Sequence, residues 1–202
     1  QGRCANTCVP VDVPSRSGHA MAYDAARERV ILFGGNGYGP FSDTWEWTGS
    51  IWLLRTPMAS PAARHAHAMA YDGARRRIVL FGGQRQGVSL GDTYEWDGRT
   101  WLQRASTTSP SPRAAHAMAW DAARRRVVLF GGYTIGARYA ADTWEWDGLN
   151  WVERSPAISP PGRAWAAMAF DPDRGRVVLF GGTGVGVSTI FSDTWEWDGT
   201  TW

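Results

Sequence analysis

Apolar and polar positions along this chain alternate in short runs that fit strands and leave no stretch with a helical period. The run "HAMAY" sets His19, Met21 and Tyr23 on one side and the small Ala20 and Ala22 on the other. "RVILFGG" carries four consecutive apolar residues, as a strand buried on both faces does. "DTWEW" places Trp45 and Trp47 on one face and Glu46 on the other, and "WLLR" follows a short Gly-containing turn. The pattern predicts four strands in succession and an all-β chain.

The same four runs return four times. Met recurs at 21, 69, 118 and 168, Phe-Gly-Gly begins at 33, 81, 130 and 180, and a closing Trp falls at 52, 101, 151 and 202. The period of 48 to 51 residues drifts for one reason: seven, eight, nine and then ten residues separate the Gly pair from the next Asp (36–42, 84–91, 133–141, 183–192). A single four-stranded sheet cannot bury both of its faces, so the repeats are predicted to stack radially as propeller blades. The blades are approximately 14–56, 62–105, 111–155 and 161–202, the last completed by residues 5–8. Two aromatics per blade are expected to fill the wedge between neighbouring sheets.

These residues resemble the kelch-repeat family. The resemblance rests on Arg16, Arg64, Arg113 and Arg163 with a His three positions on in three copies, on the double Gly, and on the aromatic-then-Trp spacing; it covers residues 14–202. It implies a kelch-type β-propeller with four four-stranded antiparallel blades per chain and an N-terminal strand closing the last. A sialidase-type Asp-box fits less well, because Asp and Gly are adjacent in "WDGTTW". In kelch proteins that bind peptides, the face bearing the loops and the strand entries takes the ligand. The matching positions are the four Arg together with Asn36, Gln84, Tyr133 and Thr183. A blade-to-blade structural contact is the competing reading for the Arg ring, and tolerated surface drift for the loops. Two departures from the repeat join this set. His65 stands where the others have Ser17, Ala114 and Ala164. Trp165 stands where they have Gly18, Ala66 and Ala115, next to Ala166 in place of His. The indole either fills the volume the imidazole left or forms a stacking platform.

Charge and the remaining chemistry narrow the function classes. A net charge of +2 gives no electrostatic reason for a nucleic-acid or membrane partner, although all 21 basic residues are Arg. No apolar run reaches the ~20 residues of a membrane helix. His19, His67 and His116 are equivalent positions on separate blades, which favours core packing over a metal. Cys4 and Cys8 make a poor zinc site. A disulfide between them needs a turn at "ANT", since four extended residues span ~13 Å against the ~7 Å a bridge allows. Glu46, Glu95 and Glu145 lie diagonally across from Arg55, Arg104 and Arg154, as structural ion pairs would. Ten Arg cluster at the first hairpin tips beside Asp24, Asp72, Asp121 and Asp171, and read as solvated.

The expectation is a binding module without cofactor or catalysis, recognising a protein segment or a glycan through arginines and loop aromatics. The alternatives are an enzyme on the same face and a structural or assembly role. The displaced N-terminal strand serves either a four-bladed ring in one chain or an eight-bladed ring in a homodimer, with a slight preference for the dimer. A chain trimmed from a longer propeller is a further alternative, and the compartment is left open.

Overall fold

The computed structural model describes residues 12–136, 138–185 and 189–202. Cys4, Cys8 and the expected clasp strand at 5–8 lie outside the described residues. Within them the chain is all β, built from small antiparallel sheets that do not close on themselves.

Four sheets follow the repeat. The first is a meander of Ala20–Asp24, Arg29–Phe33, Thr44–Trp47 and Trp52–Arg55. The second comprises Ala68–Asp72, Arg77–Phe81, Thr93–Trp96 and Trp101–Arg104, and the third Ala117–Asp121, Arg126–Phe130, Thr143–Trp146 and Trp151–Arg154. The fourth has three strands, Ala167–Asp171, Arg176–Phe180 and Thr194–Trp197. Each first hairpin turns tightly because its Asp accepts from the backbone three residues on, as Asp121 does from Arg124, and in the other three units also two residues on, as Asp24 does from Ala26.

Register gives each sheet two unlike faces. Met21 lies opposite Leu32 and Leu32 opposite Trp45, while Tyr23, Val30, Trp47 and Trp52 form the next row. That is the aromatic face. The other face carries Ala22, Ile31 and Glu46 in one row and Ala20, Phe33 and Thr44 in the next. The smaller face of each unit packs on the aromatic face of the following one. Ala22, Ile31 and Phe33 meet Met69, Ile78, Leu80, Trp96 and Trp101, and the same arrangement recurs between the second and third units and between the third and fourth. Trp101, Trp151 and Trp202 donate their indole N–H at 2.9 Å to Thr44, Thr93 and Thr143 of the preceding unit. Within each unit two Trp rings lie 5.4–5.5 Å apart and tilted by 41–50°.

On the smaller face the Glu is paired as expected. Arg55, Arg104 and Arg154 bind Glu46, Glu95 and Glu145 at 3.4, 2.8 and 2.7 Å. The hairpin-tip arginines are a correction to the sequence reading. They are more than solvated charge, because Arg27 donates to the carbonyl of Asp97, Arg75 to that of Gly148 and Arg124 to that of Gly175, each in the next unit.

Candidate functional site

The segments entering the first strands are fixed by arginine clamps. Arg113 donates to both carboxylate oxygens of Asp142 at 2.6 and 2.7 Å, to the carbonyl of Gly131 at 3.0 Å and to that of Ser111 at 3.0 Å. Arg16, Arg64 and Arg163 repeat this geometry on Asp43, Asp92 and Asp193. Burial pushes the Asp43 and Asp142 carboxyls up, but hydrogen bonds from the guanidinium and a neighbouring indole outweigh it and leave both lowered. For Asp193 the hydrogen bond from Arg163 leads, and its carboxyl is held well below the usual range.

This corrects the expectation for Arg16, Arg64, Arg113 and Arg163. Their side chains are at most 3% exposed and their donors are engaged inside the protein, so they present nothing to a ligand. Nor is the clamp a contact between units: each Arg binds the Asp of its own repeat. The link between units runs through its backbone, where Gly35, Gly83 and Gly132 donate to the carbonyls of Arg64, Arg113 and Arg163.

The next residues reach the loop face. Ser17, His65, Ala114 and Ala164 pair antiparallel with Asn36, Gln84, Tyr133 and Thr183, so the strand entry and the residue after the double Gly meet in every unit. One position further, Gly18, Ala66, Ala115 and Trp165 all adopt left-handed backbone, with φ of 63, 53, 56 and 60°. A thread of backbone bonds joins them across the units: Ala66 donates to Gly18, Ala115 to Ala66 and Trp165 to Ala115, at 2.7–2.8 Å. Gly suits this conformation, whereas a bulky residue is strained in it by roughly 1–2 kcal/mol. Trp165 therefore occupies a costly position, and it is 58% exposed. So open an indole does not fill the volume left by the missing imidazole.

Trp165 forms one wall of a pocket of about 660 Å³ that draws on three units. His65, Gln84, Val88 and Ser89 come from the second and Tyr133, Thr134 and Ile135 from the third, with Ala66, Ala114 and Ala115 also in the lining. These alanines belong to a buried cluster against which Tyr133 and Tyr139 pack. The two tyrosine rings stand 4.7 Å apart and share a hydroxyl hydrogen bond of 3.0 Å, which holds the Tyr139 hydroxyl above the ordinary phenol range and Tyr133 below it. No Asp, Glu, Lys or Arg contributes to the lining among the described residues.

Of the expected site residues, the pocket thus gathers His65, Gln84, Tyr133 and Trp165. Asn36 and Thr183 occupy the equivalent pairing positions but lie outside it. Val88, Ser89, Thr134 and Ile135 were missed because they belong to small hairpins inside the variable loops, Gln84–Arg85 with Val88–Ser89 and Tyr133–Thr134 with Arg138–Tyr139. Gln86 and Gly87, both at positive φ, form the two-residue turn of the first. The "QG" there was the available signal.

A smaller pocket below the thread is lined by His19, His67, His116 and Trp165 among others. His67 and His116 are buried, each edge-on to Phe33 or Phe81 of the preceding unit. Burial first, then the nearby entry arginine, holds His67 well below its ordinary value and brings His116 down to about 3. Both are neutral packing groups. No set of three His, Cys, Asp or Glu among the described residues is placed to hold a metal ion. Compared with known proteins, the chain matches no family model and no curated sequence.

Proposed function

We propose that this chain is a kelch-type β-propeller of four blades used as a non-catalytic binding module, and that its loop-face pocket takes an uncharged glycan. The blade reading is supported by four sheets of like register, stacked in order through alternating faces and joined by the backbone thread at Gly18, Ala66, Ala115 and Trp165. The ligand reading rests on one observation: an open indole beside a pocket whose polar groups are an amide, hydroxyls and one imidazole. A pyranose ring offers an apolar face of C–H groups for stacking on Trp165. Its hydroxyls suit Gln84, Ser89 and Tyr133, which donate and accept without charge. An anionic ligand meets no Arg or Lys in the described lining, since the strand-entry arginines are buried against aspartates. Guanidinium recognition is accordingly dropped from the mechanism.

A panel of neutral and acidic oligosaccharides and of peptides, screened for binding to the 202-residue chain, tests this. A neutral sugar is expected to bind, with an affinity little changed between low and high salt. Trp165→Gly should weaken it by roughly 30-fold or more while leaving the melting temperature unchanged or raised, because Gly accepts the left-handed site. Preference for peptides or acidic sugars, or binding indifferent to Trp165→Gly, would overturn the proposal.

A further inference from the structure

Charge is divided unevenly between the two edges of the sheets. The row Phe33, Thr44 and Arg55 marks one edge of the first sheet, and Phe81, Thr93 and Arg104 the same edge of the second. From that edge leave the variable loops (36–42, 84–91, 133–141 and 183–192) and the links to the next unit (56–63, 105–112 and 155–162). Together these segments contain Arg85 and Arg138 and no other charged residue. A chain with 19 acidic residues thus places none of them there. The clamp aspartates at the loop borders are bound to Arg16, Arg64, Arg113 and Arg163. The opposite edge is the reverse, with Asp24, Asp72, Asp121 and Asp171 beside their arginines at the hairpin tips. The net charge of +2 averages over these unlike edges.

The same loops and links hold bare apolar side chains. Tyr38, Met58, Ile135, Val185 and Ile190 are each 76% exposed or more, and Val88 and Ile158 are open as well. Every variable loop contributes at least one, around a pocket walled by the exposed indole of Trp165. Arg85 and Arg138 are exposed and meet no carboxylate among the described residues. Apolar points on separate loops suit insertion between lipid headgroups, whereas a protein partner is met by a contiguous apolar core inside a polar rim. Tyr and Trp favour the headgroup layer, and a guanidinium on its long stem keeps its charge at phosphate level while its neighbours enter.

We infer that the loop-bearing face seats on an anionic lipid surface, with Tyr38, Ile135, Val185 and Ile190 entering the headgroup layer and Arg85 and Arg138 meeting phosphates. Attachment of this kind strengthens with the apolar area buried and with attraction to anionic lipid, and no acidic side chain on the loops opposes it. The pocket opens on the same face, so a sugar held there would lie at the headgroup layer. The docking itself needs no sugar, and the two readings are tested apart.

Vesicle flotation tests it, with the 202-residue chain and no sugar present. One set of vesicles is pure phosphatidylcholine and the other is enriched in phosphatidylserine. The chain should partition roughly tenfold more strongly or better onto the anionic set, and high salt should weaken that binding. Arg85→Gln combined with Arg138→Gln should lower it by roughly 30-fold. Tyr38→Ser combined with Ile190→Ser should lower it by roughly tenfold or more. Arg76→Gln with Arg125→Gln, exposed at the opposite edge, should leave it unchanged. No flotation with either set overturns the inference and leaves the face to a protein partner. Flotation that does not distinguish the two sets overturns it, as does binding indifferent to either loop pair. An equal loss from the Arg76 and Arg125 pair shows general attraction of a basic chain and overturns it too. If a variant unfolds, hydrogen exchange on the wild type decides. Anionic vesicles must slow exchange in the loops at 36–42 and 133–136 and not at the first hairpin tips, and uniform or absent slowing refutes the docking.

Discussion

At the scale of single residues, the clamp is what makes each repeat a unit. Arg64 is fully buried, yet its charge is matched by a two-pronged carboxylate and its remaining bonds go to carbonyls, so it is held without an orphaned donor in the contacts it makes. Arg64→Ala should lower stability by about 3–5 kcal/mol, because it strands Asp92 beside a cavity. Denaturant unfolding checks this, and the loss should persist with any ligand present. Arg64→Lys should recover only part of the loss, since an ammonium cannot span both carboxylate oxygens. The sequence showed that these arginines recur at a fixed place. It could not show their partners, because Asp92 lies 28 residues away and belongs equally to the "DTYEW" motif. The two marks that identify a ring of ligand contacts, repetition and position, identify a ring of structural clamps equally well.

Among the elements, the four long strands of each unit were legible because each carries a period-two or all-apolar pattern that burial enforces. The small hairpins were not, since two residues per strand give no pattern to read. With them went half of the pocket wall. The first strands carry a further consequence in His67 and His116. An ordinary imidazole takes a proton near pH 6.5, as both do in the unfolded chain, while His116 resists one until about 3 and His67 is also held well below the ordinary value. Below pH 6.5 the unfolded state therefore binds more protons than the folded state, and stability falls as pH drops. Asp43, Asp142 and Asp193 contribute in the same direction only below their ordinary 3.8, because their folded values are lower still. Between pH 6.5 and about 4 the slope belongs to the histidines. Urea unfolding across that window should show stability declining toward acid, with a shallower decline in His116→Gln. A flat profile would mean that these imidazoles are protonated in the fold.

For the whole molecule, the tryptophan content follows from stacking. Trp146 is fully buried between the second and third units, where it donates to Glu95 at 3.1 Å and takes Arg75 over its ring. Trp146→Ala should destabilise by about 3–5 kcal/mol, the usual loss for a buried large aromatic. Trp47 holds the equivalent place in the first unit but is only half-buried. The sequence gives the two residues equal weight, since the repeat is equal and only the stack has ends. Trp47→Ala should cost clearly less than Trp146→Ala in the monomer. Thermal melts of the two variants check the difference.

The paired indoles also make the molecule readable by light. Four Trp–Trp pairs share nearly one distance and one tilt, at equivalent places in the four repeats. Chromophores so close and skewed couple their electronic transitions, and pairs of one handedness add their circular dichroism instead of cancelling it. The far-ultraviolet spectrum should therefore carry an exciton couplet built from four like contributions. If the first unit loosens alone, that couplet drops by about a quarter while the rest stands, and the order in which the units melt is written in its amplitude.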